Sequence, residues 1–440
     1  MIQLLYIDLF CGAGGTSTGV NEARLEGEQC AKVIACVNHD PKAIASHAAN
    51  HPGALHFTED IRTLNLTPLI QRIKACRHEN PQALIVLWAS LECTNFSRAK
   101  GGQPRDADSR TLAEHLYRYI EAIDPDFIQI ENVEEFMSWG PLDKNGRPLS
   151  MDKGRDYVRW IKNVKGYGYN YDYRILNSAD YGARTTRKRY FGMFAKRGLP
   201  IVFPKPTHSR RPTGNLERWR AVRYVLNLDE LGQSIFTRKK PLAEKTLMRI
   251  YAGLIKFVAG GKDAFLVKFN SMSQRGKYVP PSIDEPCPTV ATQNRLGLAH
   301  VEFLSKQFSG STYDKNVSLD EPAGTITCVD HHALVSAHFL TSFYGNGCCR
   351  DIEVYENDSP MTVKIKEFMA LYNVVDIKMR MLKVVELKRI QGFPDDYVLM
   401  GNQSDQMKFI GNAVHTSIPK AWCPALCRAI QSLKPQEVAV

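Results

Sequence analysis

The chain has 440 residues, of which 44% are hydrophobic and 23% are charged. At roughly 100 to 200 residues per domain, this length predicts two or three domains with substantial cores. The composition excludes a disordered chain, and no stretch approaches the roughly 18 consecutive apolar residues of a membrane span. The N-terminus has neither a basic region nor a small-residue cleavage site. We therefore expect a soluble, cytoplasmic protein with no membrane partner.

The eleven cysteines are odd in number and scattered along the chain. There is no CxxC pair, and Cys423 and Cys427 have no matching His or Cys pair at zinc-finger spacing. The pattern therefore predicts neither a disulfide framework nor a metal site. Most of these thiols are expected to be small buried hydrophobic groups.

The net charge is +11, and it is concentrated in one segment. Between Arg184 and Arg220 there are eleven basic residues and one acid, Glu217, which gives 11 − 1 = +10. Aromatic residues lie among these charges, as in many surfaces that bind a phosphate backbone. A solvated basic loop is the alternative interpretation.

The first 200 or so residues alternate short apolar runs with amphipathic stretches, which predicts a doubly wound α/β sheet. Helical spacing extends over Ser109–Ile123. After His208 the composition changes to a sequence rich in Pro, Arg and Thr, which indicates a domain boundary. The predicted parallel strands are Leu4–Phe10, Lys32–Val37, Ala83–Trp88 and Phe127–Ile130.

The second region contains an internal repeat, in which segments that start with Phe-Leu are followed by an Asp-x-Pro turn. The turn prolines are Pro286, Pro322 and Pro360, each before a β-branched run. Such turn-then-strand signals predict small β units. From Met379 a helical pattern returns, through Arg380–Ile390 and again through Ile418–Leu433.

A glycine-rich turn follows the first predicted strand, where Asp8–Gly15 reads DLFCGAGG. Glycines at a strand-to-helix turn allow a ligand to approach the backbone, which favours a nucleotide-like cofactor. A turn with only a structural role is the alternative.

This turn resembles the first motif of the DNA cytosine methyltransferases that act on carbon 5, and the further motifs of that family follow in order across nearly the whole chain. The matching segments are Asp60-Ile61, Ser90–Ser97, Glu131–Val133, Arg187–Phe191, Glu386–Pro394 and Gly411–Val414.

The resemblance implies a Rossmann-like catalytic domain that depends on S-adenosylmethionine, with its first part in residues 1–203. It implies a smaller, mainly β target-recognition domain in residues 204–375, across a DNA-binding cleft. Residues 376–440 would then complete the catalytic domain.

The chemistry explains which catalytic residues the resemblance implies. Carbon 5 of cytosine is a poor nucleophile until a thiolate adds to carbon 6, and Cys93 fits that role. Glu131 would protonate or hydrogen-bond ring nitrogen 3. Arg187 and Arg189 would hold the base carbonyl, the flanking phosphate or Glu131. Because stacking hides the ring, the base must be flipped out of the duplex.

For S-adenosylmethionine the resemblance implies a set of contacts from both ends of the chain. The ribose would be bound by His39 on alignment or by Asp40 on chemistry. Contacts to DNA are expected from Arg210, Arg211 and Arg218, and no metal is expected. The other cofactor residues are Asp8, Phe10, Gly12, Gly14, Asp60, Ile61, Asn412 and Val414.

Three positions depart from the family pattern. The family has Pro before the nucleophile and commonly Gln after it, whereas Glu92 and Thr94 flank Cys93 here. Thr185 stands where Gln is usual. These changes leave the nucleophile, the acid and the arginines in place, but they bear on how the cytosine edge is read.

The expected activity is methylation of cytosine carbon 5 in a specific duplex DNA sequence, by a monomer. A cognate restriction endonuclease encoded nearby is one candidate partner, and a solitary or phage enzyme is the alternative. One alternative is an RNA methyltransferase acting on tRNA, although the recognition region here is about as long as a full domain. The others are a non-catalytic DNA-binding relative and an enzyme that uses a modified base or a modified donor.

Overall fold

The fold was analysed in a computed structural model of the chain. The structure describes residues 2–91, 112–141, 143, 148–150, 153–230, 232–259, 267–268, 296–297, 301–306, 316–328, 332–339, 353–372 and 374–433. Within this part of the chain, no helix is both long enough and apolar enough to span a membrane.

The strands, labelled in chain order, are β1 Leu4–Leu9, β2 Arg24–Leu25, β3 Glu28–Gln29, β4 Ala31–Val37, β5 Leu55–Phe57, β6 Leu84–Ser90, β7 Phe127–Asn132, β8 Tyr169–Asn177, β9 Lys188–Lys196, β10 His208–Ser209, β11 Glu217–Arg218, β12 Gln233–Ser234, β13 Val267–Lys268, β14 Leu296–Gly297, β15 Val301–Lys306, β16 Asn316–Ser318, β17 His332–Phe339 and β18 Val374–Met381.

The α-helices are α1 Gly15–Asn21, α2 Pro41–Asn50, α3 Thr67–Glu79, α4 Leu116–Ile123, α5 Arg155–Gly166, α6 Glu244–Gly253, α7 Pro360–Tyr372, α8 Val384–Ile390, α9 Gln403–Asn412 and α10 Ser417–Gln431. Short 3₁₀ helices lie at Leu112–His115, Glu134–Ser138, Ser178–Tyr181 and Val222–Val225, and a π-helix at Leu254–Ala259.

The chain forms two compact units. The first comprises Met1–Arg220, Thr327–Val329 and Leu387–Val440. The second comprises Ala221–Ile326 and Asp330–Glu386. The first unit therefore contains both the N-terminal and the C-terminal part of the chain.

The first unit is built on a seven-stranded sheet with the order β5-β4-β1-β6-β7-β9-β8. Neighbouring strands from β5 to β7 are parallel, and β9 is antiparallel to both β7 and β8. The inner strands are buried on both faces, which explains their continuous apolar runs. The four predicted strands and the doubly wound α/β class are confirmed.

Helix α10 packs on one face of this sheet beside β1. The Trp422 ring lies edge-on to Trp88, with ring centroids 5.9 Å apart, and the Cys423 thiol lies 3.4 Å from the Tyr6 hydroxyl. Both Trp88 and Trp422 are fully buried. The last helix of the chain thus contributes to the same core as the first strand.

The second unit contains a separate five-stranded antiparallel sheet with the order β12-β18-β17-β15-β16. Helices α6 and α7 lie in the same unit, and its core includes the fully buried residues Ile250, Phe303 and Ile365. The expectation of a smaller second region with a β-sheet is confirmed.

Two predicted elements of this region are wrong. The Asp358–Thr362 turn does not precede a strand; it precedes helix α7, which has Pro360 at its first position. The Ser359 hydroxyl accepts a hydrogen bond from the Thr362 amide (3.2 Å), so the same Ser-Pro pair acts as a helix start. The turn at Pro286 lies outside the described residues.

The helical pattern predicted from Met379 also begins too early. Met379–Met381 belong to strand β18, and only Val384–Ile390 form the helix. Ile377 and Met379 are buried while Lys378 and Arg380 are partly exposed, which is the period of a strand with one face on the core. Packing of this face in the antiparallel sheet outweighs the local helical spacing.

Candidate active site

The candidate site lies at the carboxyl edge of the parallel strands. The chain proceeds from β1 through β4 to β5 on one side, and from β6 to β7 on the other, so β1 and β6 flank the point where the strand order reverses. Ligands of open α/β sheets bind at such a point. The loop after β1 begins there, and so does the segment that follows β6, in which Cys93 is the third residue after Ser90.

The loop after β1 has an unusual backbone. Phe10 adopts φ +59° and Gly12 φ +53°, in the left-handed region that costs a side-chain-bearing residue energy. A Cβ atom at Gly12 would meet no atom within 4 Å, so this glycine borders open space. A Cβ atom at Gly15 would collide with the carbonyl of Val414, so this glycine permits close packing.

Asp8 is fully buried beneath this loop. Its Oδ2 accepts a hydrogen bond from the Ser17 hydroxyl (2.8 Å), and its Oδ1 has no hydrogen-bond partner among the described residues. Burial raises the pKa of Asp8 well above the ordinary value, although the bond from Ser17 opposes this. Asp8 therefore supports this part of the chain through its bond to Ser17 and is inaccessible to solvent.

The two residues considered for the ribose differ in their surroundings. His39 is exposed, whereas the Asp40 carboxylate caps helix α2 by accepting from the amides of Lys42 (3.0 Å) and Ala43 (3.3 Å). Lys408 also contacts Asp40, at 3.2 Å. Burial acts to raise the pKa of Asp40, but these hydrogen bonds outweigh it and lower the pKa.

Asp60 and Ile61 follow β5 in the loop before α3. The Asp60 carboxylate is paired with Arg62, at 2.6 Å, and is partly exposed. The hydrogen bonds from Arg62 lower the pKa of Asp60. Ile61 is buried, and its carbonyl accepts from the Tyr119 hydroxyl (2.9 Å), which fixes this loop on the core.

Glu131 lies on strand β7, which is flanked by β6 and by β9, the strand that carries Arg189. Glu131 pairs with Ser90 on β6 and with Phe191 on β9. Its Oε1 lies 3.5 Å from the Nε of Arg189. Burial raises the pKa of Glu131, and Arg189 and Arg187 oppose the increase. The structure thus brings together the predicted acid and one predicted arginine.

Arg187 is 3% exposed and points to a different partner. Its Nη1 donates to the Gly411 carbonyl (3.1 Å) near the end of helix α9. Arg187 therefore connects the arginine motif with the Gly411–Val414 motif. Thr185, one of the departures from the family pattern, is fully buried beside it in sequence.

The Gly411–Val414 motif is held by residues whose roles were not predicted from the sequence. Gln391 is fully buried, and its Nε2 donates to the Ala413 carbonyl (2.7 Å). The Thr416 hydroxyl donates to the Gly392 carbonyl (2.9 Å). Val414 is buried against Gly15, whereas Asn412 is exposed. The Gln391–Pro394 motif, which reads QGFP, was the sequence signal from which a role for these residues could have been predicted.

Cys93 and its neighbours Glu92 and Thr94 lie outside the described residues. Leu91, which precedes them, is described, and its carbonyl accepts from the Asn132 side chain (3.3 Å). The start of the Cys93 loop is therefore held to the residue that follows Glu131. Asn132 is a further residue whose role the sequence did not predict.

The three arginines expected to contact DNA are all exposed: Arg210, Arg211 and Arg218. They lie in or next to the short parallel pair β10 and β11. This segment is held to the rest of the first unit by Trp219, whose Nε1 donates to Asp180 (2.9 Å). The arginine paired with Glu131 is Arg189 instead.

The model of the C-5 cytosine-specific DNA methylase family matches residues 4–426. The chain therefore belongs to this family, which confirms the resemblance seen in the sequence. It is an enzyme that uses S-adenosylmethionine to methylate carbon 5 of cytosine in DNA.

Individual relatives are distant, and two of them are similar over most of their length. The chain is 23% identical to the Type II methyltransferase M1.HphI of Haemophilus parahaemolyticus, over 99% of this chain and 89% of that one. It is 22% identical to the Type II methyltransferase M.SacI of Streptomyces achromogenes, over 96% of this chain and 93% of that one. A solved structure, described as a DNA modification methyltransferase encoded within an E. coli prophage, has the same fold. That match has a TM-score of 0.50 and 18% identity, and it covers 98% of this chain and 100% of the other.

Proposed function

We propose that this methyltransferase acts on a specific duplex DNA sequence through a covalent bond between Cys93 and carbon 6 of a flipped-out cytosine. The observation that carries the proposal is the position of Glu131. It is paired in register with Ser90, three residues before Cys93, and it contacts Arg189. An acid and a cation thus lie on β7 and β9, and β7 pairs with β6, the strand that precedes Cys93 in the sequence.

The proposed reaction proceeds by addition, methyl transfer and elimination. The Cys93 thiolate forms a bond to carbon 6, and the electron pair of the ring double bond makes carbon 5 nucleophilic. Bound S-adenosylmethionine supplies an electrophilic methyl group. After carbon 5 loses its proton to water, the ring double bond re-forms and the thiolate leaves.

Glu131 stabilises the charge that addition places on the ring. Burial favours its neutral form, because it raises the pKa, so the carboxyl group is suited to donate a hydrogen bond to nitrogen 3. Arg189 holds this carboxyl group in place and moderates its pKa. A carboxyl group held in this way can give a proton to nitrogen 3 and recover it.

Arg187 is proposed to be a positioning residue. Its guanidinium is buried and hydrogen-bonded to the Gly411 carbonyl, so it supports the Gly411–Val414 motif, which packs against the first loop, the loop after β1. Asn412 and Val414 are proposed to contact the cofactor from this side.

The first loop fits S-adenosylmethionine. Gly12 borders open space at the switch point, and Phe10 beside it is only partly buried, so the ring has a face available for adenine. Gly14, Asp8, Asp60 and Ile61 complete the proposed set. For the ribose we favour His39, because the Asp40 carboxylate is already bonded to two amides and to Lys408.

The target-recognition role is proposed for residues 204–375, which include strands β12, β15, β16 and β17 of the separate antiparallel sheet. The exposed side chains of Arg210, Arg211 and Arg218 are proposed to contact phosphates. Cytosine would be extruded from the stack before Cys93 can reach it.

Two relatives are named as Type II methyltransferases, which supports a cognate restriction endonuclease as partner. We further propose that the enzyme is a monomer in the cytoplasm. Resistance of plasmid DNA from expressing cells to an endonuclease that cuts the same sequence only when it is unmethylated would test the pairing.

The substrate proposal is tested by tritium transfer from labelled S-adenosylmethionine to duplex DNA and to tRNA, with bisulfite sequencing of the DNA. We expect incorporation into duplex DNA at cytosines within one sequence context. Incorporation into tRNA alone would contradict the proposal and favour an RNA enzyme.

A further inference from the structure

Two thiols and one imidazole meet in the core beneath the first loop, outside the residues used above. Cys11 follows β1, Cys36 lies on β4 and His47 lies on α2. One sulfur or nitrogen atom from each lies within 4.8 Å of the other two, and all three side chains are buried. Residues from three separate elements therefore direct ligand atoms into one small volume.

A second imidazole lies beside this cluster. His56 on β5 pairs in register with Cys36 on β4, so the two residues are direct neighbours in the sheet. Its Nε2 lies 2.9 Å from the Nδ1 of His47. The group thus contains two sulfur and two nitrogen donors.

A hydrogen-bond chain fixes the orientation of His47. The Ser17 hydroxyl donates its only proton to Asp8 (2.8 Å), so it must accept at its 2.8 Å contact with the His47 Nε2. The Nε2 of His47 therefore carries a proton, and the lone pair lies on Nδ1, which faces Cys36 at 3.6 Å. Protein metal sites use such an outer chain, ending in a carboxylate, to orient a histidine ligand.

We propose that Cys11, Cys36, His47 and His56 form a binding site for a tetrahedral divalent transition metal of the Zn²⁺ class. Two sulfur and two nitrogen donors are a preferred set for this ion. Two thiolates in a buried site carry charge that is costly to desolvate, and a divalent cation cancels it.

The distances suit such an ion. With metal–sulfur bonds of about 2.3 Å and metal–nitrogen bonds of about 2.0–2.1 Å, tetrahedral geometry separates sulfur from nitrogen by about 3.6 Å and two nitrogens by about 3.3 Å. The observed separations are 3.6 Å between Cys36 and His47 and 2.9 Å between the two histidines. The Cys36–His47 separation matches the tetrahedral value, and the histidine pair is about 0.4 Å closer than that value.

Metal binding would fasten the first loop to β4 and α2, because Cys11 lies between Phe10 and Gly12. The ion would be structural, since four protein donors leave no open position for a substrate. This consequence for the cofactor loop rests on the proposed function, whereas metal binding itself does not.

The test uses the full chain, purified under reducing conditions and stripped of metal by a chelator that is then removed. Titration with Co²⁺ is followed by the thiolate-to-cobalt charge-transfer band and the visible bands of tetrahedral Co²⁺. Zn²⁺ affinity is measured by competition, and the Zn²⁺ content is determined by mass spectrometry. We expect one ion per chain, with thiolate bands that Zn²⁺ abolishes.

Matched variants locate the site. Cys36→Ser and His47→Gln should weaken Zn²⁺ binding at least about 100-fold, and Ser17→Ala about 10-fold, as expected for a residue that orients a ligand. Cys76→Ser and His51→Gln are the controls, since Cys76 is a buried thiol on α3 and the His51 Nε2 faces Thr18 and Tyr397 instead. Circular dichroism monitors the folding of each variant.

Failure of the reduced wild-type chain to bind Co²⁺ or Zn²⁺ would overturn the proposal without any variant. Binding that is unchanged in a folded Cys36→Ser protein would also overturn it, because the ion would then lie elsewhere. Methylation of DNA by a chain that binds no metal would leave the proposed function intact while rejecting this site.

Discussion

The Nε atom of Arg189 lies 3.5 Å from the Oε1 atom of Glu131, on neighbouring antiparallel strands. Both side chains are largely shielded from solvent, at 18% and 8% exposure. Since a buried carboxyl group next to one cation can exist in either protonation state, this contact sets the behaviour of the proposed acid. The first two predictions concern Glu131.

Glu131→Gln retains the shape of the side chain but removes the transferable proton. We expect kcat to fall by about 10²- to 10⁴-fold, the usual contribution of general acid–base catalysis, with little change in the Kd for DNA. Steady-state methyl transfer and a filter-binding assay measure the two quantities. Glu134→Gln, an exposed neighbour on the following 3₁₀ helix, should behave as the wild type. Equal losses in the two variants would remove Glu131 from the chemistry.

The same variant should change the pH dependence of stability. Burial raises the folded-state pKa of Glu131 above its unfolded value of 4.5, so the folded chain favours the protonated form. The stabilisation is fully present below pH 4.5 and is lost as the pH rises through the raised pKa. The Tm of wild type relative to Glu131→Gln should therefore fall over that interval. Parallel Tm curves would mean that the pKa of Glu131 is not raised.

The basic segment provides a prediction about DNA affinity. If Arg210 and Arg211 each neutralise a phosphate, their replacement by Ala should reduce the salt dependence of log K by about 0.9 for each arginine. Binding measured over a series of salt concentrations gives this slope. Arg155→Ala, an exposed arginine at the start of α5, is the control. Weaker binding with an unchanged slope would argue against phosphate contacts.

Gly15→Ala tests the contact between the N-terminal and C-terminal parts of the chain within the first unit. The added methyl group would collide with the Val414 carbonyl and lie 3.0 Å from the Ala413 Cβ. We expect a loss of about 1–3 kcal/mol in unfolding free energy, as for other overpacked sites. Gly53→Ala is the control, because its Cβ would meet no atom within 4 Å. A stable Gly15→Ala protein would mean that residues 413 and 414 can move away.

Much of the first unit was predictable from the sequence, because the local sequence patterns of its strands and helices agree with the way these elements pack. The strand predicted at Leu4–Phe10 is formed by Leu4–Leu9, and the run is apolar throughout because parallel strands are buried on both faces. Helix α10 is likewise close to the predicted Ile418–Leu433 segment. Where strands are parallel, their carboxyl ends share one edge, so the residues that follow them converge.

The failures have a common physical origin. The Ser359-Pro360 pair is compatible with a turn or with a helix start, and only the packing of α7 in the second unit decides. The Cys11, Cys36 and His47 cluster has no sequence spacing typical of a metal site, because its members come from three elements that meet only after folding. The roles of the individual catalytic and cofactor residues stay predictions.

The most direct test of the central claim is covalent trapping of the enzyme on DNA that contains 5-fluorocytosine in its target site. Fluorine cannot leave carbon 5 as a proton does, so methyl transfer should leave the Cys93–carbon 6 bond intact. With S-adenosylmethionine, we expect a denaturation-resistant complex for the wild type and for Cys76→Ser, and none for Cys93→Ser. A complex that forms with Cys93→Ser would contradict the account.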